Sequence, residues 1–219
     1  GIHYYFIDNE EYFKREGFYG YQDDGERFAF FSKSVLESLV HIEGFKPGLI
    51  HCHDWHTSLV PLLLKECYKH DPYYYKIKTV FTIHNLQYQG LFPINFIDDL
   101  LALGGNQRAR EALEFGDGIN YLKGALIYSD KITTVSPSYA EEIQTPFFGE
   151  GLSQVIAYRK GDLKGILNGI DYDHFNPLKD PEIFVNYRSA RDKKRENKME
   201  LQKLLNLPVD KETPMLALI

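Results

Sequence analysis

KTVFTIHNLQYQG, residues Lys78–Gly90, is the stretch whose reading decides the fold. Thr79–Ile83 is a β-branched and aromatic run without polar alternation, the pattern of a strand buried on both faces of a parallel sheet. The run stops abruptly at His84 and Asn85, and the chain turns through polar and aromatic residues to Gly90. Open α/β sheets bind ligands just beyond the carboxyl ends of their strands. His84 therefore has two readings: it caps the strand by bonding to backbone, or it offers its ring to a ligand. Asn85, Tyr88 and Gln89 add donors, acceptors and stacking surface for a polyhydroxylated molecule.

Upstream, Gly48–Cys52 reads as a second buried strand, followed directly by His53, Asp54, Trp55 and His56. Leu59–Tyr68 is an apolar helix closed by Asp71 and Pro72. Two strands joined by a helix of this length form a βαβ unit. The HDWH and IHN segments then leave the sheet at the same edge, which makes one site of two distant motifs.

Working outward, Ile2–Ile7 is a candidate strand and Glu10–Arg15 a helical turn. Phe28, Phe31, Val35, Leu36 and Leu39 recur at helical spacing between Glu26 and His41. Phe96–Leu103 and Gln107–Phe115 are predicted helical on either side of Gly104 and Gly105, and Ile119–Tyr128 is predicted to be a buried helix. Lys131–Val135 is a strand, after which Ser136 before Pro137 starts a helix. Leu152–Arg159 is a short helix, Lys164–Leu167 a strand that runs into NGID, and Arg191–Leu207 a charged, solvated connecting helix.

Composition narrows the class. A formal charge of −6 disfavours nucleic acid and anionic membranes as general partners. No apolar run approaches a membrane span, and residues 1–20 carry no signal-peptide pattern. Cys52 and Cys67 alone make no disulfide framework, so the expected compartment is the reducing cytoplasm. The 16 Tyr and 15 Phe can line a sugar site or an ordinary core, and composition does not choose between them. Gly1 so close to an apolar run, and PMLALI at the other end, read as cuts within a longer protein.

The HCHDWH cluster invites a metal reading through His53, Asp54, His56 and His84, that of a metal-dependent hydrolase. A strand continuing through the cluster is expected to set His51 and His53 on opposite faces, which argues against it. The chain contains no G-x-S-x-G, no G-x-G-x-x-G and no P-loop, so neither a nucleophile elbow nor a complete nucleotide site is present.

HCHDWHTSLVPLLLK, FTIHNLQYQGLFP, KGALIYSDKITTVSPSYAEEI and GILNGIDYDHFNP, in this order and at these separations, resemble bacterial glycogen synthases and plant starch synthases. REGFYGYQDDGERFAFFSK and KRENKMELQKLLNL are similar too, so the resemblance covers nearly the whole chain. It implies an α/β fold: a Rossmann-like parallel sheet with helices on both faces, the N-terminal half of a GT-B two-domain enzyme without its first strands. Residues 1–190 are then the acceptor-side domain, 191–213 a helical interdomain linker and 214–219 the start of the second domain's first strand.

The activity implied is transfer of glucose from ADP-glucose to the non-reducing end of an α-1,4-glucan with retention. UDP-glucose is the donor in some relatives, and no metal or cofactor is obligatory. By motif position His84 lies beside the transferred glucose, Asn85 supports its loop and Asn168 contacts the donor sugar. Asp54, His56 and Tyr19 match cleft residues, Trp55 is assigned to packing, and Tyr88 and Gln89 to shaping the loop. Residues 1–219 alone are expected to be inactive. A glucan-binding relative without turnover is the other reading.

Overall fold

The computed structural model describes residues 1–218, in two compact units, the first 1–167 and the second beginning at Asn168. Strands in the first unit are β1 (Leu49–His53), β2 (Lys78–Ile83), β3 (Leu91–Pro93), β4 (Glu114–Phe115), β5 (Gly118–Asn120), β6 (Lys131–Thr134) and β7 (Leu163–Gly165). Its helices are α1 (Glu10–Phe13), α2 (Asp24–Ser38), α3 (Leu59–Glu66), α4 (Phe96–Asp99), α5 (Gln107–Leu113), α6 (Tyr121–Tyr128), α7 (Pro137–Glu142) and α8 (Ser153–Tyr158). In the second unit α9 (Arg191–Leu204) is the one helix among the described residues, highly charged as its sequence predicts, exposed over residues 191–196 and half-buried or buried over 197–202.

The main sheet has the order β1-β2-β6-β7, all parallel. Register aligns Cys52, Phe81 and Ile132 in one row, and all three are buried in the core. β2 is central, and Thr79, Phe81, Thr82 and Ile83 are buried along it, as the unalternated run requires. The opposite face carries a polar ladder: His51 Nε2 lies 2.6 Å from Thr82 Oγ1, which lies 2.6 Å from Thr133 Oγ1. Asp130 binds at the other end of the sheet. Its carboxylate accepts from the backbone N–H of Thr79 at 2.9 Å and from Lys78 Nζ at 3.0 Å.

Helix α3 is apolar all round, with Leu59 through Leu64 buried, so it must be covered by other helices. Helix α6 packs on it closely: a Cβ at Gly124 would lie 3.2 Å from Leu62 and 3.0 Å from Leu113. Ser136 caps α7 by accepting from the N–H of Tyr139, with Pro137 in the first turn, as expected from Ser before Pro.

Three sequence expectations need correction. Ile2–Ile7 forms no strand: residues 1–6 are exposed and pair with no strand among the described residues, and an apolar run without a ladder partner has nothing to hold it extended. Phe96–Leu103 is helical only to Asp99, because Leu101 bonds back to Phe96 and Ala102 adopts a φ of 53°. Ile119–Tyr128 is divided: Gly118–Asn120 joins an antiparallel sheet of order β3-β5-β4, and the helix starts only at Tyr121. Asn120 makes the break, since its extended backbone pairs with Leu91 while its side chain caps α6 by accepting from the N–H of Lys123 at 2.9 Å.

Candidate functional site

Parallel pairing of β1 with β2 brings the two His-bearing segments out at one edge of the sheet. Past β2, the backbone N–H of His84 donates to Asp54 Oδ1 at 2.8 Å. His84 Nε2 lies 3.0 Å from His53 Nδ1, a hydrogen bond in which one ring donates and the other accepts. Asp54 itself is held by its N–H to Thr82 O at 3.0 Å and has φ 54° and ψ −178°, a region nearly reserved for glycine. Such a conformation costs roughly 1–3 kcal/mol and persists where the surroundings over-determine it. Thr57 supplies part of that constraint: its Oγ1 accepts from the N–H of His53 at 2.7 Å and donates to His53 O at 2.8 Å.

The rings of His51 and His53 lie 4.2 Å apart, on the same face of β1. The expectation of opposite faces is corrected: side chains two residues apart along a strand share a face. Even so, no group of three or more His, Cys, Asp or Glu among the described residues is arranged to hold a metal ion. Partial desolvation first, and repulsion from the neighbouring imidazoles second, lower the proton affinity of His51 and His53 below the ordinary histidine range. Neutral rings at neutral pH leave lone pairs free to accept hydrogen bonds from hydroxyl groups.

His56 faces elsewhere. Its ring packs on Trp55 at 4.2 Å, edge-on to Phe28 at 4.7 Å and against Tyr19 at 5.3 Å. Its Nε2 is buried without a hydrogen-bond partner among the described residues, and desolvation lowers its proton affinity. Tyr19 is more than half exposed and lines a cavity of about 440 Å³ together with Asp24, Trp55, Gln87 and Tyr88. Asn85 turns inward on its own loop, where its Oδ1 accepts from the N–H of Gln87 at 3.0 Å. Gly90 closes the loop at φ 68°, and a Cβ there would lie 2.6 Å from the Trp55 ring, so only glycine fits.

His84, Asn85, Asp54, His56 and Tyr19 thus all belong to the first unit, with His84 and Asp54 in direct contact. Asn168 opens the second unit, exposed and outside regular secondary structure. One supporting group escaped the sequence reading. The buried Asp24–Arg27 ion pair holds the Tyr19 loop: Asp24 Oδ2 accepts from the N–H of Gly20 at 2.6 Å and of Tyr21 at 3.1 Å, and Arg27 Nε donates to Tyr12 O at 2.7 Å. Its signal was an acid and a base three apart on a helix otherwise apolar on that face. Gln89, expected from the sequence to offer donors and acceptors to a ligand and to shape the loop, is buried beneath the His84 loop.

A sequence profile described as the starch synthase catalytic domain matches residues 1–158. The chain belongs to the starch synthase catalytic domain family. Glycogen synthase from Alkaliphilus metalliredigens is 54% identical across all of this chain, and that from Geobacillus stearothermophilus 51%. The chain spans 46% and 45% of those two proteins, less than half of each. Among solved structures, the catalytic domain of starch synthase IV from Arabidopsis thaliana, bound to ADP and acarbose, superposes with a TM-score of 0.74 at 38% identity. That match covers 90% of this chain and 40% of the starch synthase, and the parallel sheet with its helices matches that GT-B catalytic domain.

Proposed function

We propose that the protein carrying this chain is a glycogen or starch synthase, transferring glucose from ADP-glucose to the non-reducing end of an α-1,4-glucan with retention. In that reaction the bond between glucose C1 and the diphosphate breaks, its electron pair leaving with ADP. A bond from C1 to the acceptor's O4 forms, and the O4 proton is released. The observation that carries the reading is the His84–Asp54–His53 arrangement at the carboxyl edge of a parallel sheet, within a chain about half identical throughout to glycogen synthases.

On this reading His84 is the catalytic residue beside the transferred glucose, and Asp54 fixes its backbone. Ordering the sugar and keeping water out are what such a site contributes. Asn85 shapes the loop, while His56 and Tyr19 face the glucan path. Asn168 contacts the donor sugar. Residues 1–190 serve as the acceptor-side domain, 191–213 as the linker and 214–219 as the start of a second domain. Among the described residues no helix is long and apolar enough to cross a membrane, and cytoplasmic residence belongs to the same proposal.

Glucose incorporation into glycogen from ADP-glucose and from UDP-glucose, measured for the full-length protein and its His84→Ala variant, tests this. Turnover with ADP-glucose that falls by orders of magnitude in the folded variant supports it. Preference for UDP-glucose overturns the donor assignment, full activity of His84→Ala overturns the role of His84, and no turnover with either donor overturns the activity.

A further inference from the structure

Gln89 is 6% exposed, and each polar atom of its amide is used. Its Nε2 donates to Leu86 O at 3.1 Å, inside the His84 loop, and to Glu150 O at 2.9 Å, in the loop between α7 and α8. Its Oε1 accepts from Asn120 Nδ2 at 2.5 Å. Asn120 is wholly buried and spends its other side-chain atom on the cap of α6. These partners fix which way both amides point, because two carbonyls must face nitrogen and a backbone N–H must face oxygen.

The surrounding backbone is tied to the same point. The N–H of Leu122 donates to Gln89 O at 3.1 Å, that of Tyr121 to Gly90 O at 3.0 Å, and that of Leu86 to the Tyr139 hydroxyl at 3.1 Å. The partner loop is tight as well. Glu150 has φ 47° and Gly151 φ 80°, and at the loop's end Leu152 is buried in the core. Phe147, 84% exposed, stands on that loop with Phe148 edge-on at 4.8 Å.

We propose that Gln89 is a positioning residue that locks the His84-bearing loop to the loop at 145–151, so that His84 is held at a fixed place. A hydrogen-bonded amide held at three points in a dry site is rigid, and losing it leaves buried carbonyls without donors. The inference rests on the glucosyltransfer reading for its kinetic consequence, and on the three side-chain bonds alone for the coupling of the loops.

Gln89→Met keeps the volume and drops all three bonds, whereas Gln89→Glu keeps the acceptor for Asn120 and replaces the donor that faces the two carbonyls. Both are made in the full-length protein. Backbone amide exchange of residues 84–90 and 145–151 is read beside steady-state glucose transfer, with rates normalised to folded protein. The expected result is faster exchange in both loops and a fall in kcat of about 10- to 100-fold, with KM for glycogen changed less than about threefold. A protonated carboxyl can donate where a carboxylate cannot, so the Gln89→Glu deficit relative to the unsubstituted protein narrows as pH falls.

Unchanged kcat in a folded variant overturns the positioning role. Faster exchange confined to residues 84–90 overturns the coupling. Should Gln89→Met fail to fold, Gln89→Glu gives the same readouts. An unsubstituted protein without turnover sinks the glucosyltransfer reading instead, and amide exchange still decides the coupling.

Discussion

The N–H of His84 and the carboxylate of Asp54 meet at 2.8 Å, across the gap between the ends of two adjacent parallel strands. A charged acceptor on a backbone N–H is among the stronger hydrogen bonds available to a loop. It fixes the first residue after β2, from which the His84 ring projects toward His53 at 3.0 Å. Asp54 is suited to this by its backbone, since its φ of 54° turns the chain sharply at the end of β1.

Removing the acceptor releases His84 at its own N–H. Asp54→Ala is expected to lower kcat/KM by about 10- to 100-fold in glucose transfer, the scale of a modest displacement in an ordered site. Asp54→Asn keeps an oxygen acceptor on a side chain of the same shape, so its loss should be under about tenfold. Equal losses in the two variants would show that the carboxylate's charge, not the hydrogen bond to His84, is what matters.

Acid should act on the cluster of rings beside it. His51, His53 and His56 bind protons more weakly folded than unfolded. Their neutral forms therefore favour the folded state above the ordinary histidine value of about 6.5. As pH falls below it the unfolded chain takes up more protons, and stability declines until the folded pKa values are passed. Urea midpoints should be lower at pH 5.5 than at pH 7.5, with a smaller drop in a His51→Asn/His53→Asn variant. An unchanged drop would assign the acid sensitivity to other groups.

Asp130 works in a different pH window. Burial alone would raise its pKa, but the bonds from Lys78, the Thr79 N–H and Lys65 outweigh that and hold it at about 2, against an ordinary aspartate value of 3.8. The depressed value stabilises the fold above the unfolded pKa, and this contribution is lost as pH falls through about 2. Asp130→Asn should cost about 2 kcal/mol at pH 7, with the difference from the parent shrinking toward zero as pH approaches the folded value. A cost that stays constant from pH 7 to pH 3 would mean that packing, not charge, is what Asp130 supplies.

The central strand was legible because burial on both faces removes polar alternation, and Thr79–Ile83 has none. The meeting of HDWH with IHN was legible too, since a βαβ crossover leaves parallel strands little choice of edge. Apolar content alone misled at Ile119–Tyr128 and Ile2–Ile7. In the first, Asn120 serves as strand residue and helix cap at once; in the second, no neighbour supplies a ladder. Gln89 was legible as a polar group of the His84 loop, but its three bonds to Leu86, Asn120 and Glu150 were not, since they span up to 61 positions of sequence that no local pattern connects.

Arg27 is the largest fully buried side chain, and Asp24, one turn before it, is 6% exposed. Their ion pair also gathers the N–H groups of Gly20 and Tyr21, which set the loop on which Tyr19 stands. Truncating one partner strands a charge in the interior, so Asp24→Ala should destabilise by about 3–5 kcal/mol. Replacing both, as Asp24→Ala/Arg27→Met, removes the stranded charge and should cost less than Asp24→Ala alone, a coupling that denaturant unfolding reads directly. Because Tyr19 loses its anchored loop in either case, activity toward glycogen should stay low even where stability recovers. Recovery of both together would mean that the pair serves the fold and that the loop finds its place without it.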